Sequence, residues 1–217
     1  MNNGLYRGNL RYLRLLQHAS SDYECPLHAL CLMSNHVHLL MTPSTVAAAS
    51  KMMQRVNQRY SQYRNLKYQA TGKLFEQRFE SEPVESDRHL AFCVLYINAN
   101  PHAANMPNSH EYRWSSQALH CGGAQRYTMR ELITYDSWYL GLGATMSERT
   151  SEYRKVFANY LLGRSASVYA EQRFIDQALL MEPKSSVHRP TRPDGSRAQE
   201  QNAKYAENTM QDDELAP

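Results

Sequence analysis

His36-Val37-His38 is the densest chemical signal in the chain. Residues two apart in an extended strand point to the same face, so both imidazoles project together. Two such nitrogens make half a site for a divalent cation when an oxygen ligand arrives from elsewhere. The same pair reads as two satisfied sheet histidines. Further along, Tyr96 and Asn100 are spaced to lie one turn apart on one face of a helix. Asn100 offers an amide oxygen to a hard cation. Tyr96 offers a phenol, a poor nucleophile at neutral pH because its unperturbed pKa is about 10. A tyrosine's ordinary employment is a buried ring with a bonded hydroxyl.

The elements that must position these groups are readable from hydrophobic periodicity. Tyr12, Leu15, Leu16 and Ala19 recur at helical spacing, which predicts an amphipathic helix over residues 6–19, with Arg7, Arg11 and Arg14 off the stripe. Two apolar runs flank Ser34-Asn35, a turn-forming pair, so residues 27–41 read as a β-hairpin. Thr45 caps a second helix to about Tyr63, buried through Ala49, Met52, Met53, Val56, Tyr60 and Tyr63. Lys51, Arg55 and Arg59 recur on a neighbouring face, either as a solvated face or as a track for a phosphate backbone. Residues 73–84 read as a loop leading into another strand. Ser86 or Asp87 then caps a helix through Leu90, Cys93, Val94 and Ile97, which Pro101 is expected to end by denying a backbone donor. Beyond Gly122-Gly123 the chain turns helical again. Thr145-Met146-Ser147-Glu148 reads as a capping box opening a helix that Gly163 ends, and a further helix is expected over 168–181.

Composition bounds the answer. The chain has 217 residues, 42% hydrophobic and 21% charged, which is globular usage and excludes a fibrous repeat. No apolar run approaches the roughly 18–20 residues of a membrane span, and the N-terminal residues lack the apolar core of a secretory signal, so a cytoplasmic location and no membrane partner are expected. Cys25, Cys31, Cys93 and Cys121 form no Cys-x-x-Cys pair and read as buried reduced thiols. The net charge is only +3, but residues 1–80 hold ten Lys/Arg against four Asp/Glu, while the remainder is slightly acidic. A locally basic half suits a polyanionic partner. Fifteen tyrosines suit either base stacking or an ordinary half-buried core.

Four ordered motifs carry a family resemblance. They are Leu32-Met33-Ser34-Asn35-His36-Val37-His38-Leu39-Leu40, Gly72-Lys73-Leu74-Phe75-Glu76-Gln77-Arg78-Phe79, Tyr96-Ile97-Asn98-Ala99-Asn100-Pro101 and Tyr112-Arg113-Trp114-Ser115-Ser116. Together they resemble the single-tyrosine transposases of the HUH superfamily, nearest to the REP-associated tyrosine transposases. The resemblance implies an α+β fold, a ferredoxin-like sandwich of antiparallel sheet and helices, over residues 1–120. A helical extension over 121–181 and a disordered tail over 182–217 follow from composition. It implies Tyr96 as the catalytic nucleophile, with His36, His38 and Asn100 holding Mg²⁺ or Mn²⁺. Lys51, Arg55, Arg59, Lys73, Gln77 and Arg78 become candidate DNA contacts, although Lys73, Gln77 and Arg78 serve equally as a structural cap on the sheet. Trp114 reads as core packing or as a base-stacking ring.

The implied activity is metal-dependent cleavage and rejoining of single-stranded DNA at hairpin-bearing ends through a 5′-phosphotyrosine, by a nucleoid-associated monomer or homodimer. The alternative is a truncated or domesticated protein that binds DNA hairpins or repetitive palindromes without cutting them. The sequence departs from the family pattern at its start, where the expected first strand before the first helix is missing. Such a loss is expected to leave sheet backbone unpaired and apolar surface exposed. Ser34 stands where Pro is usual, and His102-Ala103-Ala104-Asn105 replaces a more basic stretch.

Overall fold

The first helix forms because Tyr12, Leu13, Leu15, Leu16 and Ala19 fall on one side and are all buried. In a computed structural model, which describes residues 3–75, 79–106, 108–123 and 127–166, this helix, α1, runs over Asn3–Asp22. It is followed by β1 (Leu27–Leu32), β2 (Val37–Met41), α2 (Val46–Tyr68) and α3 (Asp87–Ala103). A short 3-10 turn at Ser109–Glu111 precedes α4 (Gln117–His120), α5 (Tyr127–Leu132), α6 (Ser137–Gly141) and α7 (Met146–Ala166). The fold is α+β, with a two-stranded antiparallel sheet and helices on both faces.

Register in the hairpin decides which side chains meet. Leu32 pairs with Val37, Cys31 with His38, Leu30 with Leu39 and Ala29 with Leu40, with a bulge between Leu27 and Ala29. Alternation then sends Leu30, Leu32, Val37 and Leu39 into one hydrophobic cluster with Leu16 of α1 and Met52, Met53 and Val56 of α2. Ala29, Cys31 and Leu40 go to the opposite cluster, with Val94, Leu95, Ile97 and Ala99 of α3, Tyr139 of α6 and Tyr153 and Phe157 of α7. All six residues of β1 are buried because both faces are covered. Leu16 and Leu30 are fully enclosed, and burying side chains of this size contributes about 1.5–3 kcal/mol each. Gly8 lets α1 close on α2: a Cβ there would stand 3.2 Å from the Tyr60 hydroxyl.

Several expectations are corrected. The free edge of β1 is not left unpaired. The Leu32 amide donates to the Trp114 carbonyl at 2.8 Å, the Ser116 amide to Leu30 O at 2.8 Å, and the Thr134 amide to Leu27 O at 2.8 Å. The segment after α3 therefore takes the place of a neighbouring strand, and six buried strand residues replace the expected exposed apolar surface. No strand forms among the described residues of 79–85, which stay largely exposed; Pro83 lacks a ladder donor.

Helix ends move as well. The second helix runs past Tyr63 to Tyr68 and stops where Gln69 turns left-handed, at φ 50°. Pro101 does not end α3, which continues to Ala103. The donor missing at Pro101 would have served Ile97 O, and the Asn100 side-chain amide reaches that carbonyl at 3.5 Å and Tyr96 O at 3.0 Å. Gly163 lies inside α7, where a single glycine lowers helix stability without breaking the ladder. The helix expected over 168–181 and the tail over 182–217 lie outside the described residues.

Other features stand as read. Thr45 caps α2, accepting from the Ala48 amide at 3.0 Å, and Ser86 caps α3, accepting from the His89 amide at 3.2 Å. Glu148 Oε2 accepts from the Thr145 amide at 3.1 Å while Thr145 Oγ1 accepts from the Glu148 amide at 3.2 Å, the reciprocal pattern of a capping box. All four cysteines are free thiols, but burial holds only for Cys25 and Cys31; Cys93 and Cys121 are half-buried.

Candidate active site

His36 sits in the turn just before β2, where its carbonyl accepts the Met33 amide at 2.9 Å and closes the hairpin. His38 follows on the same side, its ring centroid 4.7 Å from that of His36 and the planes at 85°. His36 is exposed and places Nδ1 2.7 Å from Asn35 Oδ1. When that nitrogen donates, Nε2 keeps its lone pair for a ligand. Burial lowers the pKa of His36. Burial, with the neighbouring His36, pushes His38 down to about 4. The second imidazole is therefore neutral at physiological pH, the protonation state a cation needs.

The helix α3 brings the remaining candidates to this same side of the sheet. Tyr96 is half-buried, with its ring 5.5 Å from His38 in an edge-on arrangement at 83°. Phe92, one turn earlier, stacks on Tyr96 at 6.3 Å and 10°, and is braced edge-on by Tyr160 of α7 at 5.9 Å. Asn100 is 8% exposed. Its amide nitrogen is used on the helix carbonyls of Tyr96 and Ile97. Two imidazole nitrogens and one amide oxygen would make a donor set without net charge, chemically compatible with a divalent cation. Among the described residues no three His, Cys, Asp or Glu side chains converge into a group that could hold a metal ion.

The basic stripe lies elsewhere. Lys51, Arg55 and Arg59 belong to α2, which packs on the sheet face opposite α3. Lys51 is exposed, whereas Arg55 pairs with Asp22 at 3.4 Å and lies over the Tyr23 ring at 5.9 Å. Lys73 is exposed beyond the end of α2, and Gln77 and Arg78 lie outside the described residues. Trp114 is half-buried against the α1/α2 cluster, with the Arg113 guanidinium 5.9 Å from its ring.

Two groups of residues escaped the sequence reading. Arg64 and Lys67 extend the cationic face of α2 and lie against Tyr68 at 4.9 and 5.6 Å, while Lys67 Nζ donates to the Tyr63 hydroxyl at 3.1 Å. The available signal was the absence of any Asp or Glu throughout residues 46–68. Phe92 is the other omission, and Tyr112 enters the sequence reading only within a family motif. Tyr112 donates to Leu32 O at 2.6 Å, and burial, with Cys31 nearby, raises its pKa to about 12.

Comparison with known proteins gives one finding. Residues 7–100 match a family described as "Transposase IS200 like", a span that includes both histidines and ends at Asn100. No curated protein and no solved structure matches the chain. Among the described residues no helix is long and apolar enough to cross a membrane.

Proposed function

We propose, from the match of residues 7–100 to the IS200-like transposase family, that the chain is a transposase of this type and that Tyr96 is the nucleophile of a single-strand DNA nicking and joining reaction. The family match over residues 7–100 supports a transposase function and DNA as the partner. The observation that carries the finer reading is the apposition of Tyr96 and His38, 5.5 Å apart on the sheet side shared by His36.

His36 and His38 would hold Mg²⁺ or Mn²⁺ through ring nitrogens, and Asn100 through its amide oxygen. Bound there, the cation would supply Lewis-acid stabilisation of the scissile phosphate and of charge on the departing oxygen. The Tyr96 oxygen attacks phosphorus and the bond from phosphorus to the 3′ oxygen breaks. The phenolic proton is lost to solvent, and the departing 3′ oxygen takes one up. The 5′-phosphotyrosyl link conserves the bond for rejoining, by attack of a 3′ hydroxyl, without a nucleotide cofactor. The rings of His38 and Phe92 restrict Tyr96 to a small range of orientations, which lowers the entropic part of the barrier.

Lys51, Arg59 and Lys73, with Gln77 and Arg78, are proposed to contact the phosphates of a hairpin, such as a chromosomal repetitive palindrome, flanking the cut. Arg55 joins them when DNA competes with Asp22. The placement of α2 on the sheet face opposite Tyr96 favours a second reading as well, hairpin binding without cleavage, because the cationic face does not depend on Tyr96. One experiment separates the two. The full chain is incubated with single-stranded oligonucleotides bearing hairpin ends and Mg²⁺ or Mn²⁺, and a denaturant-resistant protein–DNA adduct is sought. The expected result is an adduct that disappears in Tyr96→Phe while hairpin binding persists. No adduct with either metal, or an adduct that survives the substitution, would overturn the nucleophile assignment.

A further inference from the structure

Asn98 stands on α3 between Tyr96 and Asn100 and is 0% exposed. A carboxamide in so enclosed a position costs stability unless its atoms are bonded, and an aliphatic side chain of similar size would contribute more by burial. Here the amide is engaged from both ends. Its Oδ1 accepts from the Ser116 hydroxyl at 2.7 Å and lies 3.4 Å from the Ser115 hydroxyl. Its Nδ2 donates to the Tyr153 hydroxyl at 2.8 Å. His120 Nδ1 lies 3.4 Å away but donates to Ser116 O at 2.9 Å, so it braces the serine rather than accepting from the amide.

Each partner is itself fixed. The Ser116 amide donates to Leu30 O at 2.8 Å, and the Ser116 hydroxyl oxygen accepts the Leu30 amide at 3.0 Å. Leu30 is the neighbour of Cys31, which is paired with His38. On the other side Tyr153 is fully buried and stacked on Phe157 at 5.7 Å and 14°. Hydrogen bonds thus lead from α3 through Asn98 and Ser116 to Leu30 of β1, whose covalent neighbour Cys31 is the register partner of His38. Apolar contacts alone between α3 and the sheet are non-directional and tolerate sliding or rotation. Hydrogen bonds to a single amide do not.

We propose that Asn98 is a positioning residue for the reacting pair: through Ser116 and Tyr153 its carboxamide fixes the register of α3 against β1, and so holds Tyr96 and Asn100 beside His36 and His38. The inference rests on the reading of Tyr96 as the nucleophile. It adds a role for Asn98 and for the Ser115-Ser116 pair, and it makes α7, outside the family match, part of the device.

The test uses the full-length chain, with Asn98→Leu and the milder Tyr153→Phe, which keeps the buried ring and removes one oxygen. Two readouts are followed. One is the nuclear Overhauser contact between the His38 and Tyr96 rings. The other is the rate of adduct formation at saturating hairpin DNA, compared with the affinity for that DNA. A misplacement near 1 Å slows an oriented reaction about a hundredfold, so Asn98→Leu is expected to lose the ring contact and slow the covalent step by about that factor, and Tyr153→Phe by about tenfold, with DNA affinity held within about twofold. If Asn98→Leu does not fold, Tyr153→Phe decides alone. Retention of the ring contact and an unchanged rate overturn the positioning role while leaving the nucleophile standing. Absence of any adduct from the wild-type chain overturns the nucleophile. The ring contact then still decides the geometric claim: kept in both variants, it refutes it, and lost in either, it supports it.

Discussion

Acidification is expected to destabilise this chain well above the pH at which carboxylates are protonated, because the fold holds several imidazoles uncharged. Burial pushes His120 down to a pKa of about 4, against the raising influence of the Ser116 carbonyl and Asp136. Burial and then His36 bring His38 to about 4 as well. His36 and His102 are lowered too, chiefly by burial. The unfolded chain, with imidazoles near 6.5, takes up protons that the folded chain refuses. The contribution is therefore complete above about pH 6.5, declines as pH falls towards 4, and is fully lost below that. Inside the window each group adds a slope of about 1.4 kcal/mol per pH unit. Crossing it removes about 3 kcal/mol for His120 and, after discounting the partial exposure of His38, about 2 kcal/mol more. Their sum of about 5 kcal/mol is comparable with the whole stability of many domains. The assay is urea unfolding at about pH 7, 6 and 5, for the wild type and for His120→Gln, which keeps a polar side chain but removes the titrating ring. The stability of the wild type should fall steeply, and the slope of the variant should be shallower by about one proton. Stability independent of pH over that range, or an unchanged slope in the variant, would refute the reasoning.

Because the proposed donor set of His36, His38 and Asn100 carries no net charge, Mn²⁺ is expected to bind weakly without DNA, and Asn100→Asp to tighten it about tenfold or more, since ligand charge tunes affinity for hard cations. Calorimetric titration checks this, and an unchanged affinity would remove Asn100 from the ligand set. Lys51→Ala and Arg59→Ala should each weaken hairpin binding without regard to sequence and reduce the salt slope by about one. Titrations at several salt concentrations measure it, and unchanged slopes in both would place the phosphate track on another surface.

What could be read from the sequence was local. Strand alternation anticipates the closeness of His36 and His38, although His36 lies in the turn before β2; the period near four in a helix puts Tyr96 and Asn100 one turn apart on α3, and the caps at Thr45, Ser86 and Thr145 are visible as short side-chain patterns. Errors arose where a distant or compensating group intervened. Pro101 looked like a helix end because its missing donor is a local fact, whereas the Asn100 side chain that serves the Ile97 carbonyl is a matter of conformation. A strand was expected near Val84 because an apolar residue flanked by turn formers resembles one, but among the described residues no neighbour supplies a ladder. The covering of β1 by Trp114 and Ser116, and the bonds that Asn98 makes to Ser116 and Tyr153, depend on contacts between segments far apart in sequence. Periodicity carries no record of such contacts.

The sealing of β1 by later parts of the chain has a consequence for biosynthesis. Leu30 and its partner Ser116 are separated by 86 residues, and His28 and Thr134 by 106. While the ribosome is still translating that interval, the nascent hairpin has a bare flank able to recruit strands from other molecules. Maturation must therefore run against the order of synthesis, with the earliest strand the last to be shielded. A fragment trimmed to the matched segment alone would keep both histidines and the tyrosine, yet lack the stretch that makes their scaffold safe from self-association.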